Sequence, residues 1–327
     1  MKKYLIRRLI SGMLVLWMVM TLVFILIQTV PGDPAQVIAG ELADVKTVNQ
    51  IREKLGLNLP LWQQYWNLLK GAATGNLGVS FNYRYSAFKV VMERFPATVE
   101  LTLVAAAFAI PLSIFLGIVS AVKRNSFLDH LAKLVTLFGI STPSFWLGIM
   151  LILIFSVALH WFPSMDKSPY YLPQAVWAAI TGKPEALWHW ARYIVLPGIT
   201  LGAWFTALIA RMTRTETLDN LNRAYTLTAK SKGLAPVRII SDHVLPNSMI
   251  PIITIAGIQI GILLGGALIT EAVFMWPGMG KLLMDSIFSR DFPVIQAATL
   301  VFAVVWVGIN LIVDLIYVMI DPRIKLG

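Results

Sequence analysis

Residues 225–248 read YTLTAKSKGLAPVRIISDHVLPNS, and this polar stretch stands between two of the most apolar parts of the chain. Gly233 fits the C-terminus of a helix, where a left-handed backbone is favoured, and Pro236 fits the first turn of the next helix. The stretch therefore predicts two short helices broken at Gly233. Pro246 then marks the entry into the next apolar segment.

The composition of the chain indicates an integral membrane protein. Of its 327 residues, 57% are hydrophobic and only 13% are charged, whereas a typical soluble domain has about 25% charged residues. The chain has no cysteine, which excludes disulfides and thiolate metal sites. The formal net charge of +10 could suggest nucleic acid, but the charges lie in short segments between apolar runs. The positive-inside rule explains this better, so we expect a lipid bilayer and no nucleic acid as partner.

Six segments have the ~20 mainly apolar residues that a membrane-spanning helix needs. Pro111, Pro143 and Pro197 each lie inside one of these segments, which is typical of a polytopic bundle because neighbouring helices must satisfy the freed carbonyl. The fourth segment is the least apolar, because Thr200 and Thr206 interrupt it. The six segments are about 9–30, 99–122, 134–159, 194–212, 250–275 and 294–320.

The first span could instead be a cleaved signal peptide, because four basic residues precede it. However, its apolar run is longer than the ~7–15 residues of a signal-peptide core, and no A-x-A cleavage site follows it. We therefore expect a retained transmembrane helix.

The distribution of Lys and Arg predicts the orientation of the chain. With the N-terminus inside, the cytoplasmic segments contain fifteen of the 27 basic residues and five of the 17 acidic residues. These segments are 1–8, 123–133, 211–249 and 321–327. Their excess of positive charge predicts cytoplasmic N- and C-termini, and it places the opening stretch on the cytoplasmic side.

Two long segments, 31–97 and 160–193, then face the other side of the membrane. Loops of this length are often functional. The first contains apolar residues at positions i, i+3, i+4 and i+7, which predict an amphipathic helix. These residues are Trp62, Tyr65, Trp66 and Leu69.

The spacing in the opening stretch resembles the EAA loop of bacterial ABC importer permeases. That loop has the pattern E-A-A, three residues, Gly, nine residues, I-x-L-P, and Gly233 occupies the glycine position. Leu227 stands where the pattern has Glu, and His243 stands where it has Ile. With these two departures, the stretch resembles the variant of the loop found in the dipeptide/oligopeptide/nickel branch of the family. The residues that carry the resemblance are Tyr225, Thr228, Ala229, Lys232, Gly233, Leu234, His243, Leu245, Pro246 and Asn247.

Further segments resemble the landmarks of the B-type permeases of that branch, in order, along nearly the whole chain. Each landmark alone is weak, but their number and order make the resemblance specific. They include GNLGVSF (75–81), RFPATVELT (94–102), TPSFWLGIML (142–151), LPGITLG (196–202), ARMTR (210–214), RDFP (290–293) and DPR (321–323).

The resemblance implies an all-α integral membrane protein with six transmembrane helices. It implies the core of a type I (MetI-like) ABC importer permease, with an extra N-terminal helix and long extracytoplasmic loops. Residues 1–97 would form the N-terminal helix and an extracytoplasmic amphipathic loop. Residues 98–320 would form the permease domain, with a cytoplasmic coupling hairpin at 213–249, and residues 321–327 a cytoplasmic tail.

The resemblance also implies the partners. The hairpin would dock in a cleft of a cytoplasmic ATPase subunit and convert nucleotide-driven closure into movement of the spans. A homologous second permease would complete a heterodimer, joined by two ATPase subunits and an extracytoplasmic binding protein in a bacterial inner membrane. The chain has no Walker-A loop, nucleophile elbow or paired-carboxylate site. We therefore expect a chain that is not an enzyme and holds no metal or cofactor, with ATP and Mg bound by the partner subunits.

Three features of the spans are candidates for the translocation path or a gate. A stripe of glycines in the fifth span serves either static helix packing or sliding along the path. Asp314, with Asn310 one turn earlier, could contact substrate or only pair with a neighbour. Glu271, at the outer end of the fifth span, could anchor a gate or cap the helix. The stripe consists of Gly257, Gly261 and Gly265.

The predicted function is that of a permease subunit of an ATP-driven ABC importer for dipeptides or oligopeptides. Nickel-chelate, glutathione and opine importers of the same family stay open as alternatives. A self-sufficient secondary transporter is an alternative of a different class, which would favour an inverted repeat and an ion site near the midplane. The sequence contains no convincing repeat. A membrane enzyme would need a polar catalytic cluster, and none is visible in the sequence.

Overall fold

The computed structural model describes most of the chain, and the described residues fold almost wholly into α-helices. The described ranges are 2–29, 33–40, 43–265 and 267–320, so the predicted tail 321–327 lies outside them. In chain order their helices are α1 (Lys2–Thr29), α2 (Pro34–Ala39), α3 (Val45–Lys54), α4 (Leu61–Thr74), α5 (Ala87–Val122), α6 (Phe127–Ser141), α7 (Ser144–Leu151), α8 (Leu172–Ile180), α9 (Glu185–Leu221), α10 (Ala224–Ser231), α11 (Pro236–Ile239), α12 (Leu245–Leu264), α13 (Leu268–Val273), α14 (Met279–Phe288) and α15 (Phe292–Ile320). Two π-helical turns, Ile152–Ala158 and Ile240–Val244, directly follow α7 and α11.

In the described ranges, five helical runs are long and apolar enough to cross a membrane, and a sixth run is bent. The prediction of an all-helical membrane fold with six spans is confirmed when the bent pair is counted as one span. The five unbroken runs are Ile6–Thr29, Ala87–Val122, Glu185–Leu221, Pro236–Leu264 and Phe292–Ile316.

The prediction of one continuous helix over 134–159 is wrong, because α6 and the run Ser144–Ala158 meet at 106°. After α6, Thr142 has an extended backbone (φ −86°, ψ 123°), the conformation that a following proline favours. Pro143 has no N–H to donate and stands directly before the first turn of α7. The proline thus ends one helix and begins the next.

The fifth span has different limits from the predicted 250–275. α12 ends at Leu264, and α13 is a separate short helix. At the other end the span begins earlier, at Pro236, because α11, the π-helical turn and α12 form one run. Pro246 cannot donate a backbone hydrogen bond, and the π-helical turn directly before it accommodates the missing bond without ending the helix.

The described chain divides into two compact units. One comprises the described residues within 2–96 and 278–307, and the other comprises those within 97–277 and 308–320. The first unit has a core that includes Met20, Leu68, Val90, Met279 and Val294. The second has a core that includes Leu101, Phe205, Ile209, Ile252 and Trp276. The predicted division into domains 1–97 and 98–320 stays a prediction.

The predicted amphipathic helix in the first long loop is confirmed as α4. Tyr65 turns inward, where its hydroxyl lies 2.7 Å from Thr21 Oγ1 and its ring packs on Phe24. Trp62 and Trp66 are exposed instead. α4 thus packs through one edge of its apolar face and leaves the two indoles open.

Candidate functional site

The hairpin was predicted over 213–249, but residues 213–221 belong to α9 and residues 245–249 to α12, so in the structure it begins after Leu221 and returns through α11. α10 is a short helix, and Gly233 follows it with the left-handed backbone (φ +76°) that was predicted. Pro236 lies in the first turn of α11, also as predicted. The expectation of a second separate short helix is wrong, because α11 continues without a break into the fifth span.

The two arms of the hairpin are held together by a small apolar cluster. Ala229, Ile239 and Val244 are buried in it, with Leu221 and Leu234 packed against them. In the structure Ala229 packs inside the hairpin itself, so its small size serves the contact between the arms.

The outer surface of the hairpin carries two exposed apolar side chains. Leu227 on α10 is 55% exposed, and Val237 on α11 is 78% exposed. Both lie in the segment that the sequence analysis predicted to dock on a partner. The sequence analysis treated Leu227 only as a departure from the EAA pattern and missed Val237. The signal for both was an apolar residue in an otherwise polar stretch.

The residues predicted to couple the chain to an ATPase differ in accessibility. Tyr225, Thr228, Lys232, Gly233 and Pro246 are exposed, Leu234, His243 and Leu245 are half-buried, and Ala229 is buried. The structure therefore brings most of them to the surface of the hairpin and its junction with α12, and leaves one in the interior. Their role in coupling stays a prediction.

Asn220, near the C-terminal end of α9, connects the hairpin to two spans. Its side-chain amide donates a hydrogen bond to Ser248 Oγ on α12 at 3.1 Å. Its side-chain carbonyl accepts one from the Tyr225 hydroxyl on α10 at 2.5 Å. Thr226 Oγ1 also donates to the backbone carbonyl of Asn220 at 2.7 Å. The sequence analysis missed Asn220, because only the fold brings these three helices together.

The glycine stripe of the fifth span is divided between different environments. A Cβ on Gly257 would lie 2.2 Å from Val313 Cγ2, so this glycine allows α12 and α15 to pack closely. Gly261 is buried, whereas Gly265 is exposed and follows the last residue of α12. Gly257 therefore has a packing role, and a role of the stripe in a translocation path stays a prediction.

Polar side chains also lie within the spans. Asp314 is buried on α15, and Asn310 is half-buried one turn earlier. Gln259, between Gly257 and Gly261 on α12, is buried, and its Oε1 has no hydrogen-bond partner among the described residues. Gln259 is therefore a further candidate that the sequence analysis missed, although its amide interrupts an apolar run. The roles of Asp314 and Asn310 stay predictions.

Glu271 lies on the short helix α13 and is fully buried. Its Oε1 accepts a hydrogen bond from Thr98 Oγ1 on α5 at 2.7 Å. Nearby, the indole N–H of Trp276 donates to the carbonyl of Ala97 at 2.9 Å. Glu271 thus joins the segment after the fifth span to α5, which goes beyond capping its own helix. Its role as a gate stays a prediction.

A buried ion pair lies at the same end of α5. Lys167 Nζ lies 3.4 Å from Glu100 Oε2, and each side chain is 7% exposed. Glu100 Oε1 also accepts hydrogen bonds from the Leu172 N–H and the Trp190 indole, at 2.6 and 2.9 Å. Burial lowers the pKa of Lys167, and the neighbouring carboxylate of Glu100 opposes that shift. The sequence analysis missed this pair, because its members are far apart along the chain.

Apolar helices long enough to span a membrane, with a short hairpin between two of them, define the class of a polytopic membrane protein. The chain belongs to the family of binding-protein-dependent transport system inner membrane components. The family model for the inner membrane component matches residues 113–326. The family model for the N-terminal part of such components matches residues 1–102. The chain is thus a permease subunit of an ABC importer of the inner membrane, a kind of subunit that works with ATPase and substrate-binding proteins. The predicted family and class of function are confirmed.

Full-length relatives agree with this family. The chain is 41% identical to the dipeptide transport system permease protein DppB of Alkalihalophilus pseudofirmus, covering 99% of this chain and 100% of the relative. It is 39% identical to the glutathione transport system permease protein GsiC of Escherichia coli K12, covering 99% of each. The similarity extends over both long loops as well as the spans.

A solved structure shows the same fold. The chain resembles a chain of the MetNI methionine ABC transporter, determined in inward-facing conformations, with a TM-score of 0.54 and 19% identity. The match covers 71% of this chain and 96% of that one. The predicted MetI-like fold is confirmed, and the match of residues 1–102 to the N-terminal model of the family agrees with an additional N-terminal region.

Proposed function

We propose that this chain translocates dipeptides or short oligopeptides, including peptides of the size of glutathione. The observation that carries the proposal is the full-length similarity to a dipeptide permease and a glutathione permease. An extracytoplasmic binding protein delivers the peptide. The excess of Lys and Arg in the hairpin and at both ends of the chain supports cytoplasmic N- and C-termini.

The hairpin couples this transport to two cytoplasmic ATPase subunits, which bind ATP and Mg and carry out the hydrolysis. Leu227 and Val237 support this role, because they offer exposed apolar surface to a cleft on a partner. The side chain of Asn220 supports the transmission of movement, because it bonds to α10 and to α12 and is itself part of α9. A displacement of α10 is thereby passed to two spans.

A homologous second permease completes the pathway, because six spans of one kind do not easily form a symmetric path alone. Gly257 belongs to packing within the chain, since Val313 lies against it. The candidates for the path are Gly261 and Gly265 of the stripe, with Gln259, Asn310 and Asp314, and Glu271 is the candidate for a gate.

The substrate is tested with the cognate binding protein and the assembled transporter. Mass spectrometry of the ligand that copurifies with the binding protein identifies the cargo, and proteoliposome uptake of a labelled dipeptide and of glutathione compares the two. We expect a peptide ligand and uptake that needs ATP on the ATPase side. Uptake by this chain alone, driven by an ion gradient, contradicts the proposal.

The coupling role is tested by placing a charge on the outer surface of the hairpin. Leu227→Asp and Val237→Asp each put a carboxylate where an apolar contact is proposed, and each is expected to lower binding-protein-stimulated ATPase activity and uptake about thirtyfold, the effect of losing one strong interface contact. Val45→Asp is the matched control, because Val45 is equally exposed on α3, outside the hairpin. Unchanged ATPase coupling in both hairpin variants contradicts the proposed docking.

A further inference from the structure

A cavity of about 280 Å³ opens between α5, α6 and α9, near the C-terminal ends of α5 and α9 and beside the middle of α6. Three basic side chains line it, namely Lys133, Arg211 and Arg214, and Leu116 and Leu137 form part of its apolar wall. Arg211 and Arg214 belong to the ARMTR segment, to which neither coupling nor the translocation path assigns a role.

The charges around the cavity do not balance. Asp129 is fully buried beside it and pairs with Lys133 Nζ at 2.8 Å and with Arg214 Nε at 3.2 Å. Ser120 Oγ donates a further hydrogen bond to the same carboxylate at 2.5 Å. One carboxylate thus faces three cations. The guanidinium of Arg211 makes no ion pair or hydrogen bond among the described residues, so the cavity keeps an excess of positive charge.

The cations lie at the predicted boundary between the spans and the cytoplasmic segments, where lipid headgroups are expected, because Lys133 closes the segment 123–133 and Arg211 opens the segment 211–249. Lys133 is six residues from the start of α6, and Arg214 is seven from the end of α9, which places both about 10 Å inside their helix ends. On α6, beside the cavity, Leu134 and Phe138 are exposed apolar side chains. A basic cavity bordered by apolar helix surface suits a molecule with an anionic head and a hydrocarbon tail.

We propose that this cavity binds the phosphodiester headgroup of an anionic phospholipid, such as phosphatidylglycerol. The phosphate oxygens face Arg211 and Lys133, whose N–H groups form charge-assisted hydrogen bonds with them. The acyl chains lie along the exposed apolar surface of α6. The assignment to the cytoplasmic leaflet rests on the proposed orientation of the chain, and that leaflet is where basic pockets between spans recognise anionic lipids.

The test measures lipid binding to the full chain purified with its partner subunits. Native mass spectrometry follows titration with phosphatidylglycerol, and with phosphatidylcholine as the zwitterionic comparison. Arg211→Gln is expected to weaken phosphatidylglycerol binding about fivefold, the effect of one basic side chain near an anionic headgroup. Arg211 is chosen because it does not hold Asp129, and Arg211→Lys is expected to retain most of the binding. Arg124→Gln, which removes an exposed cation outside the cavity lining, is the matched control.

Three results overturn the proposal. The first is equal binding of phosphatidylcholine and phosphatidylglycerol, and the second is an equal loss of phosphatidylglycerol binding in Arg211→Gln and Arg124→Gln. The third is displacement of the lipid by millimolar inorganic phosphate, which assigns the cavity to a soluble anion. Peptide uptake by the same preparation is measured in parallel. Normal uptake without selective lipid binding overturns the lipid site alone, whereas selective lipid binding without peptide uptake overturns only the proposed function.

Discussion

α1 and α9 are both long apolar helices, and they differ in what surrounds them. In the most apolar window of α1, 11% of the residues are buried within the chain, compared with 67% in α9. Of the five unbroken runs in the described ranges, α1 has the highest mean hydropathy and α9 the lowest. A helix that faces lipid needs apolar side chains on its whole surface, whereas a helix enclosed by protein tolerates polar ones.

The polar residues of α9 show how to interpret this difference. Thr200 and Thr206 made the fourth segment the least apolar of the six predicted spans, and both are buried. Thr200 Oγ1 donates to the carbonyl of Leu196 at 2.9 Å, so its hydroxyl is satisfied within the helix. Phe205 and Ile209 of the same helix belong to the core of the second unit. Low hydropathy in α9 therefore indicates a central helix.

The largest expected effect concerns the buried charge next to α9. Asp129→Asn removes the carboxylate that pairs with Arg214 and Lys133, and we expect it to lower the free energy of unfolding by about 3–5 kcal/mol. The control is Asp285→Asn in the more exposed pair with Lys281, which should cost less than ~1 kcal/mol. Thermal unfolding of the solubilised protein measures both, and equal losses would remove the distinction between enclosed and exposed charges.

A charge on α1 tests its exposure to lipid. Met18 is exposed near the middle of the span Ile6–Thr29, and Met18→Lys should raise the free energy of insertion by about 3 kcal/mol. Because the chain has no cysteine, a single cysteine at Thr47 reports insertion through labelling from outside intact cells. Met18→Leu should label normally. Normal labelling of Met18→Lys would show that α1 is covered by something other than lipid.

The smallest expected difference compares one added methyl group at each helix. Gly117→Ala places a Cβ 2.5 Å from Thr213 Cβ and 2.8 Å from the backbone carbonyl oxygen of Ala210, both on α9. The backbone cannot move aside alone, so we expect a loss of about 1–3 kcal/mol. Gly12→Ala on α1 meets a methyl group of Val307, at 2.7 Å from Cγ1, and because little of α1 is enclosed within the chain, a small shift of the helix relieves the contact and the loss should be below ~1 kcal/mol. Comparable shifts in melting temperature would contradict this ranking.

Local signals were sufficient for much of the fold. Runs of apolar residues predicted the six spans, and Gly233 and Pro236 predicted the turn of the hairpin. The bend after Thr142 has an equally local cause in Pro143. The sequence analysis named this proline but did not predict the bend. These features depend on a residue and its immediate neighbours, which a sequence displays directly.

The contacts of the site could not be predicted in the same way. Asn220 bonds to Ser248 across 28 positions, and Lys167 pairs with Glu100 from another part of the chain. Ala229 is a further example. From the sequence, its small side chain is compatible both with a contact inside the hairpin and with a contact to a partner, and only the packing against Ile239 decides for the first. Which face of a helix is covered depends on tertiary packing, which periodicity alone does not determine.

The continuity of α11 with α12 has a mechanical consequence. The run Pro236–Leu264 contains 29 residues, which makes it a rod about 43 Å long. If the run moves as one body, a tilt of about 5° about one end swings the other end by about 4 Å. A partner that docks at Val237, as proposed above, would then hold one end of a long arm whose other end is Leu264.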